Sequence, residues 1–198
     1  AKPATGQLGD AVQVLDNPQG AAYTAVIPAG KFGTMRGTVT AVATQGNGTQ
    51  FNINFSGLPS TGGPFLYHIH VNPIPSNGSC ASTLAHLDPY IRGEATPCVP
   101  EFPETCQVGD LSGKHGKPNA TTFNATYIDP YVSLIDGQGA FFGNRSFVIH
   151  LADKTRIACA NFFPIDNLPS EPSASGFPYG PSNSSSTTAP TFSVPVPP

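Results

Sequence analysis

From Ala11 to Asn161 the apolar residues recur at every second position or in short β-branched runs, and no stretch has the spacing of an amphipathic helix. The plainest case is Gln50-Phe-Asn-Ile-Asn-Phe55, which puts Phe51, Ile53 and Phe55 on one face of a strand. Ala11–Leu15, Ala21–Ile27, Met35–Ala43, Thr121–Tyr127, Tyr131–Ile135, Arg145–His150 and Arg156–Asn161 read as further strands. Turn segments such as Asp16-Asn-Pro-Gln-Gly20 and Gln45-Gly-Asn-Gly48 separate the early runs into hairpins. With 21 Gly, 22 Pro and no Trp, the composition suits many short strands joined by turns. The expectation is an all-β sandwich or barrel without significant helix.

The strand pattern stops between Val71 and Leu111, in a Pro-, Gly- and Ser-rich stretch that holds three of the four cysteines. A loop this long in a compact domain is functional or disordered, and cysteines favour the first. An even cysteine count fits two disulfides in an oxidising compartment. Seven sequons, at Asn47, Asn54, Asn77, Asn119, Asn124, Asn144 and Asn183, point the same way. The expected location is extracellular, either secreted or at the cell surface or wall, with Ala1 a processed or trimmed start. Only 11% of residues are charged and the net charge is -3, which argues against nucleic acid or an anionic membrane surface as partner. From Pro169 to Pro198 eight prolines and eight serines occur in thirty residues. The expected organisation is a domain over 1–168 and a disordered tail over 169–198, through which wall or membrane attachment could run.

Within this frame lies Tyr67-His68-Ile69-His70. On a strand His68 and His70 share a face, and two imidazoles on a rigid element make half of a nitrogen-rich transition-metal site. Two polar residues on the wet side of an edge strand is the competing reading. The other histidines are His86, His115 and His150, the last ending a second strand-like run. His115, in Lys114-His-Gly116, reads as a solvated loop tip.

The order His68-x-His70, His86, Gly109-Asp-Leu111, Gly143 to His150 and Arg156-Ile-Ala-Cys159 resembles the copper/zinc superoxide dismutases over residues 8 to 162. The stretches His86–Tyr90, Glu104–Lys114 and Thr155–Cys159 are most similar to the fungal extracellular copper-only branch. The resemblance implies an eight-stranded Greek-key fold, one copper per chain on His68, His70, His86 and His150, and superoxide as substrate. It implies Arg156 as the cation at the rim of the copper channel. It also implies a Cys80–Cys159 disulfide pinning the long loop to the last strand, and by remainder Cys98–Cys106. A monomer is expected.

Two departures qualify it. The run that in copper/zinc members supplies a zinc histidine and aspartate reads Gln107-Val-Gly-Asp110 here, and Glu94 lies about where another zinc histidine would fall. A closed zinc site wants four good ligands, so zinc is not expected. Only five residues separate His150 from Arg156, which leaves the site more open to solvent. Without zinc the far nitrogen of His86 needs another partner, and metal-bound histidines commonly use carboxylates. Glu104 is the preferred candidate, with Asp110 supporting and Glu101 third. The alternatives are a non-catalytic copper-binding or buffering module, or a cell-wall module, on the same fold.

Overall fold

The computed structural model describes residues 1–166. The expected tail, 169–198, and the sequon at Asn183 lie outside the described residues. Seven strands form one antiparallel sheet: β1 Ala22–Phe32, β2 Met35–Ala43, β3 Thr49–Ser56, β4 Leu66–His70, β5 Thr122–Asp129, β6 Ser146–His150 and β7 Arg156–Pro164. Their spatial order is β4-β6-β7-β1-β2-β3-β5, so the chain crosses between the two edges of the sheet before and after β4. In β3, Phe51, Ile53 and Phe55 are buried and face β5 at Tyr127, Ala125 and Phe123. Tyr67 of β4 and Phe123 of β5 bring their ring centroids to 5.8 Å, so the sheet curls until its edge strands share one aromatic core. The fold is all-β, as the alternation predicts.

Two expected strands, 11–15 and 131–135, do not form, and the described residues contain seven strands where the resemblance implies eight. In 11–15 only Ala11 and Val14 are buried, and their N–H groups go to the carbonyls of Glu104 and Pro130 instead of a strand. In 131–135 most N–H groups are taken by side chains: Tyr131 and Val132 donate to Asp129 Oδ1, Leu134 to Asn17 Oδ1 and Ile135 to Ser133 Oγ, while Ser133 donates to Ala140 O. Side-chain acceptors of this kind compete directly with a sheet ladder.

The long loop covers the exposed edge of β4. Ile69 N–H donates to Gly109 O at 2.9 Å, Leu87 N–H to Ile69 O at 2.8 Å, and Gly109 N–H to Leu87 O at 2.8 Å. This braid needs glycine at 109, because a Cβ there would sit 2.5 Å from the Ile69 carbonyl oxygen. Disulfides Cys80–Cys159 and Cys98–Cys106 tie the loop to β7 and to itself.

After Gly109 comes a single helical turn, α1 Leu111–His115, capped by Asp110, whose Oδ1 accepts from Gly113 N–H at 2.8 Å. Behind it lies a buried ionic knot. Asp129 Oδ2 is 2.5 Å from Lys114 Nζ and 2.7 Å from His115 Nε2, and Lys114 also donates to Val108 O. His115 is therefore no solvated loop tip. Its ring stacks on Tyr127 at 3.9 Å, because the helical turn points it inward beside Lys114.

Candidate metal centre

The period of two on β4 puts His68 and His70 on one face. His150 ends β6, whose register sets it opposite Leu66. The long loop returns His86 to the same place through a bridge with His70. The four rings each offer one nitrogen, and these nitrogens lie within 4.8 Å of one another. His68, His70 and His150 are buried, and His86 is partly open to solvent.

Each ring has its outer nitrogen tied. His70 Nδ1 lies 2.9 Å from Leu84 O, and His150 Nδ1 lies 2.9 Å from Lys154 O. A carbonyl can only accept, so both Nδ1 atoms carry the proton and both Nε2 atoms carry a lone pair. Burial pushes the His70 ring down to about 2 and the His150 ring to about 4, so both are neutral at ordinary pH. Their Nε2 atoms face each other at 3.1 Å. Two lone pairs at that separation repel unless a cation lies between them. His86 Nδ1 lies 2.8 Å from Gln107 Oε1, leaving its Nε2 for the cluster. Asp88 Oδ2 accepts from Gln107 Nε2 at 3.1 Å, which fixes the amide with its oxygen toward His86. His68 uses the opposite nitrogen: Nε2 lies 3.2 Å from Asp110 Oδ1, and its buried Nδ1 has no hydrogen-bond partner. The donor set is thus Nδ1 of His68 and Nε2 of His70, His86 and His150. Four imidazole nitrogens suit copper in either oxidation state.

Asp110 serves both the cluster and α1. Burial pushes its carboxyl up, but the His68 ring, the Gly113 N–H and Lys114 outweigh this and hold it at about 2. Glu104 is placed elsewhere. The Pro103–Thr105 turn points its carboxylate at Lys2 Nζ, 3.0 Å away, so it is not the partner of His86. That partner is the Gln107 amide, with Glu94 Oε1 further off at 3.7 Å from His86 Nδ1. Glu101, the third candidate, is exposed and does not line the site. An amide oxygen accepts from His86 as a carboxylate would, so residue type alone does not single out Gln107.

Arg156 stands at the rim. Its Nη1 donates to Cys80 O at 2.8 Å, Ala81 O at 3.0 Å and Thr83 Oγ1 at 2.9 Å, and its Nη2 donates to Leu84 O. The Leu84 carbonyl thus holds both the guanidinium and His70. The cluster opens into a cleft of about 920 Å³ whose walls include Arg156, Lys154, Glu94 and Arg92.

A model of the copper/zinc superoxide dismutase family matches residues 35–161. A cell surface Cu-only superoxide dismutase of Arthroderma benhamiae is 41% identical over 182 residues, covering 77% of this chain and 49% of that protein. The cell surface Cu-only superoxide dismutase 5 of Candida albicans is 35% identical, covering 67% of this chain and 56% of its own length. The chain spans about half the length of the curated relatives it matches. The solved structure of Candida albicans superoxide dismutase 5 with Cu(II) superposes with a TM-score of 0.67 at 30% identity, covering 80% of this chain and 99% of that one. With the matched segment running from β2 into β7 and taking in all four clustered histidines, the chain belongs to the copper/zinc superoxide dismutase family.

Proposed function

We propose that this chain is an extracellular copper-only superoxide dismutase, converting two superoxide ions and two protons into oxygen and hydrogen peroxide. One observation carries the reading: four imidazoles bring one nitrogen each to within 4.8 Å of the others, next to a fixed guanidinium in an open cleft. Copper bound there supplies alternating one-electron oxidation and reduction. The chain's own residues do the rest. Arg156, immobilised by four acceptors, presents a fixed positive charge that draws in an anion. His86 is the ring open to solvent, so its Nε2 is the site proton uptake can reach, while Gln107 keeps the other nitrogen protonated.

What supports a single metal is the engagement of the groups where a second would sit. Gln107 is shared by His86 and Asp88, Asp110 by His68 and α1, and Glu94 by Lys154. The names of the relatives support a cell-surface location. All six sequon asparagines among the described residues are exposed, which suits glycosylation of an extracellular protein.

The test is to offer the full chain copper and zinc in equal supply, measure metal content, and follow superoxide consumption. One copper, no stoichiometric zinc and rapid turnover are expected. Copper without turnover would leave a binding or buffering module, and a tightly held zinc would end the copper-only reading. Arg156→Glu should slow turnover more than Arg156→Lys, most of all at low salt.

A further inference from the structure

Two loops on opposite sides of the cleft meet over its mouth in one ion pair. Glu94, from the long loop, puts Oε2 3.3 Å from Nζ of Lys154, in the short turn between β6 and β7. Each partner is also tied to a different histidine of the cluster. Glu94 Oε1 lies 3.7 Å from His86 Nδ1, and the Lys154 backbone carbonyl accepts from His150 Nδ1 at 2.9 Å. Lys154 reaches this position in the left-handed backbone region, at φ 73°, which turns its carbonyl inward and its side chain out over the cleft.

The charges along the mouth are unevenly free. Arg156 is locked onto the carbonyls of the Cys80–Leu84 segment, and Arg92 onto those of Gly93, Thr96, Pro97 and Thr105. Asp110 is committed to His68 and the cap of α1. Glu94 and Lys154 form the exposed ion pair of the mouth, at 43% and 65% of their side chains, with Glu94 also near His86 and Lys117 a further exposed lysine on the cleft wall. An approaching anion meets both.

We propose that Glu94 and Lys154 form an electrostatic gate that sets how readily a small anion reaches the metal site. The Glu94 carboxylate cancels the attraction of Lys154 and leaves Arg156 and Lys117 as the remaining pull. Removing the carboxylate exposes the ammonium and speeds entry. Removing the ammonium leaves an uncompensated negative charge at the mouth and slows it. Because both groups face water, the field is that of exposed charges several ångströms from the anion's path, which corresponds to an effect of about two- to fourfold at low ionic strength. Salt should erase it once the screening length falls to about 3 Å near 1 M.

The experiment uses the copper-loaded full chain and two probes, azide binding to Cu(II) followed by its absorption, and superoxide consumption. Only the second rests on the dismutase reading. Glu94→Gln should tighten azide and raise kcat/KM by about two- to fourfold at low salt. Lys154→Met should do the reverse by a similar factor, and the double variant should return close to the parent. Should azide follow this order while the parent fails to consume superoxide, the gate stands and the dismutase reading falls. Should Glu94→Gln leave both probes unchanged, or weaken azide while the Cu(II) spectrum shifts, the gate is overturned; in the second case Glu94 instead holds His86.

Discussion

The metal cluster has two halves built in different ways. His70 and His150 are fixed by peptide carbonyls, those of Leu84 and Lys154. His68 and His86 are fixed by side chains, Asp110 and Gln107, and those in turn lean on α1 and Asp88. The first half is written mainly in the backbone path, with Thr83 Oγ1, 3.3 Å from His70 Nδ1, the one side chain beside these carbonyls. The second half depends on three side chains, Asp110, Gln107 and Asp88, any of which can change alone. Variation in metal retention within this fold should therefore concentrate on the His68 and His86 side.

The largest effect should come from the knot beneath that side. Asp129 and Lys114 have no exposed side-chain surface, so Asp129→Asn strands a buried ammonium and should cost about 3–5 kcal/mol of folding stability. Denaturant melts of the metal-free protein check it. The pH dependence has a definite sign. Burial pushes the Asp129 carboxyl up, but Lys114 and His115 outweigh it and hold the group well below the ordinary carboxylate range. Its stabilisation is therefore complete above about pH 4 and is lost progressively as pH falls below that. The parent should lose stability on acidification with a steeper slope than Asp129→Asn, in which Asp110 still titrates. Equal slopes would mean that the knot does not anchor α1.

Next comes Asp110→Asn. Asparagine still caps a helix, so stability should move by less than about 1 kcal/mol. The carboxylate facing His68 Nε2 is lost, and copper affinity by chelator competition should fall about 10- to 100-fold. A smaller loss, about tenfold, is expected for Gln107→Ala, which unties a ring that is partly open to solvent. If either variant held copper like the parent, the side-chain half would be no more fragile than the backbone half.

The smallest effects sharpen the contrast from the other side. Lys154→Met changes the side chain but keeps the carbonyl on His150, so copper affinity should stay within about twofold. Glu104→Gln should likewise leave copper affinity and turnover unchanged, since its carboxylate faces Lys2. A clear loss of copper in Lys154→Met would show that the side chain, rather than the peptide, holds the turn.

How much of this was legible in advance differs by element. The β3 alternation of Phe51, Ile53 and Phe55 could be read directly, because burial on one face of a strand is a property of neighbouring residues. The segment 131–135 has the same look yet forms no strand. Its N–H groups are claimed by Asp129 and by Asn17, the latter more than a hundred residues away. The histidine pair on β4 was equally plain, while the partner of His86 was not. Glu104 and Gln107 are three residues apart, and only the turn at Pro103–Thr105 decides that one faces Lys2 and the other the ring.

By itself the sequence determined the all-β class, the stretch left for a long loop, and the residue types able to hold a metal, because these follow from side-chain period and composition. Tertiary structure alone decided which nitrogen of each ring is bare, that Leu84 and Lys154 present their carbonyls, and that Glu94 and Lys154 meet across the cleft. Those outcomes depend on where separate backbone segments pass one another. No local pattern encodes that, since each partner is chosen by distance in space rather than along the chain.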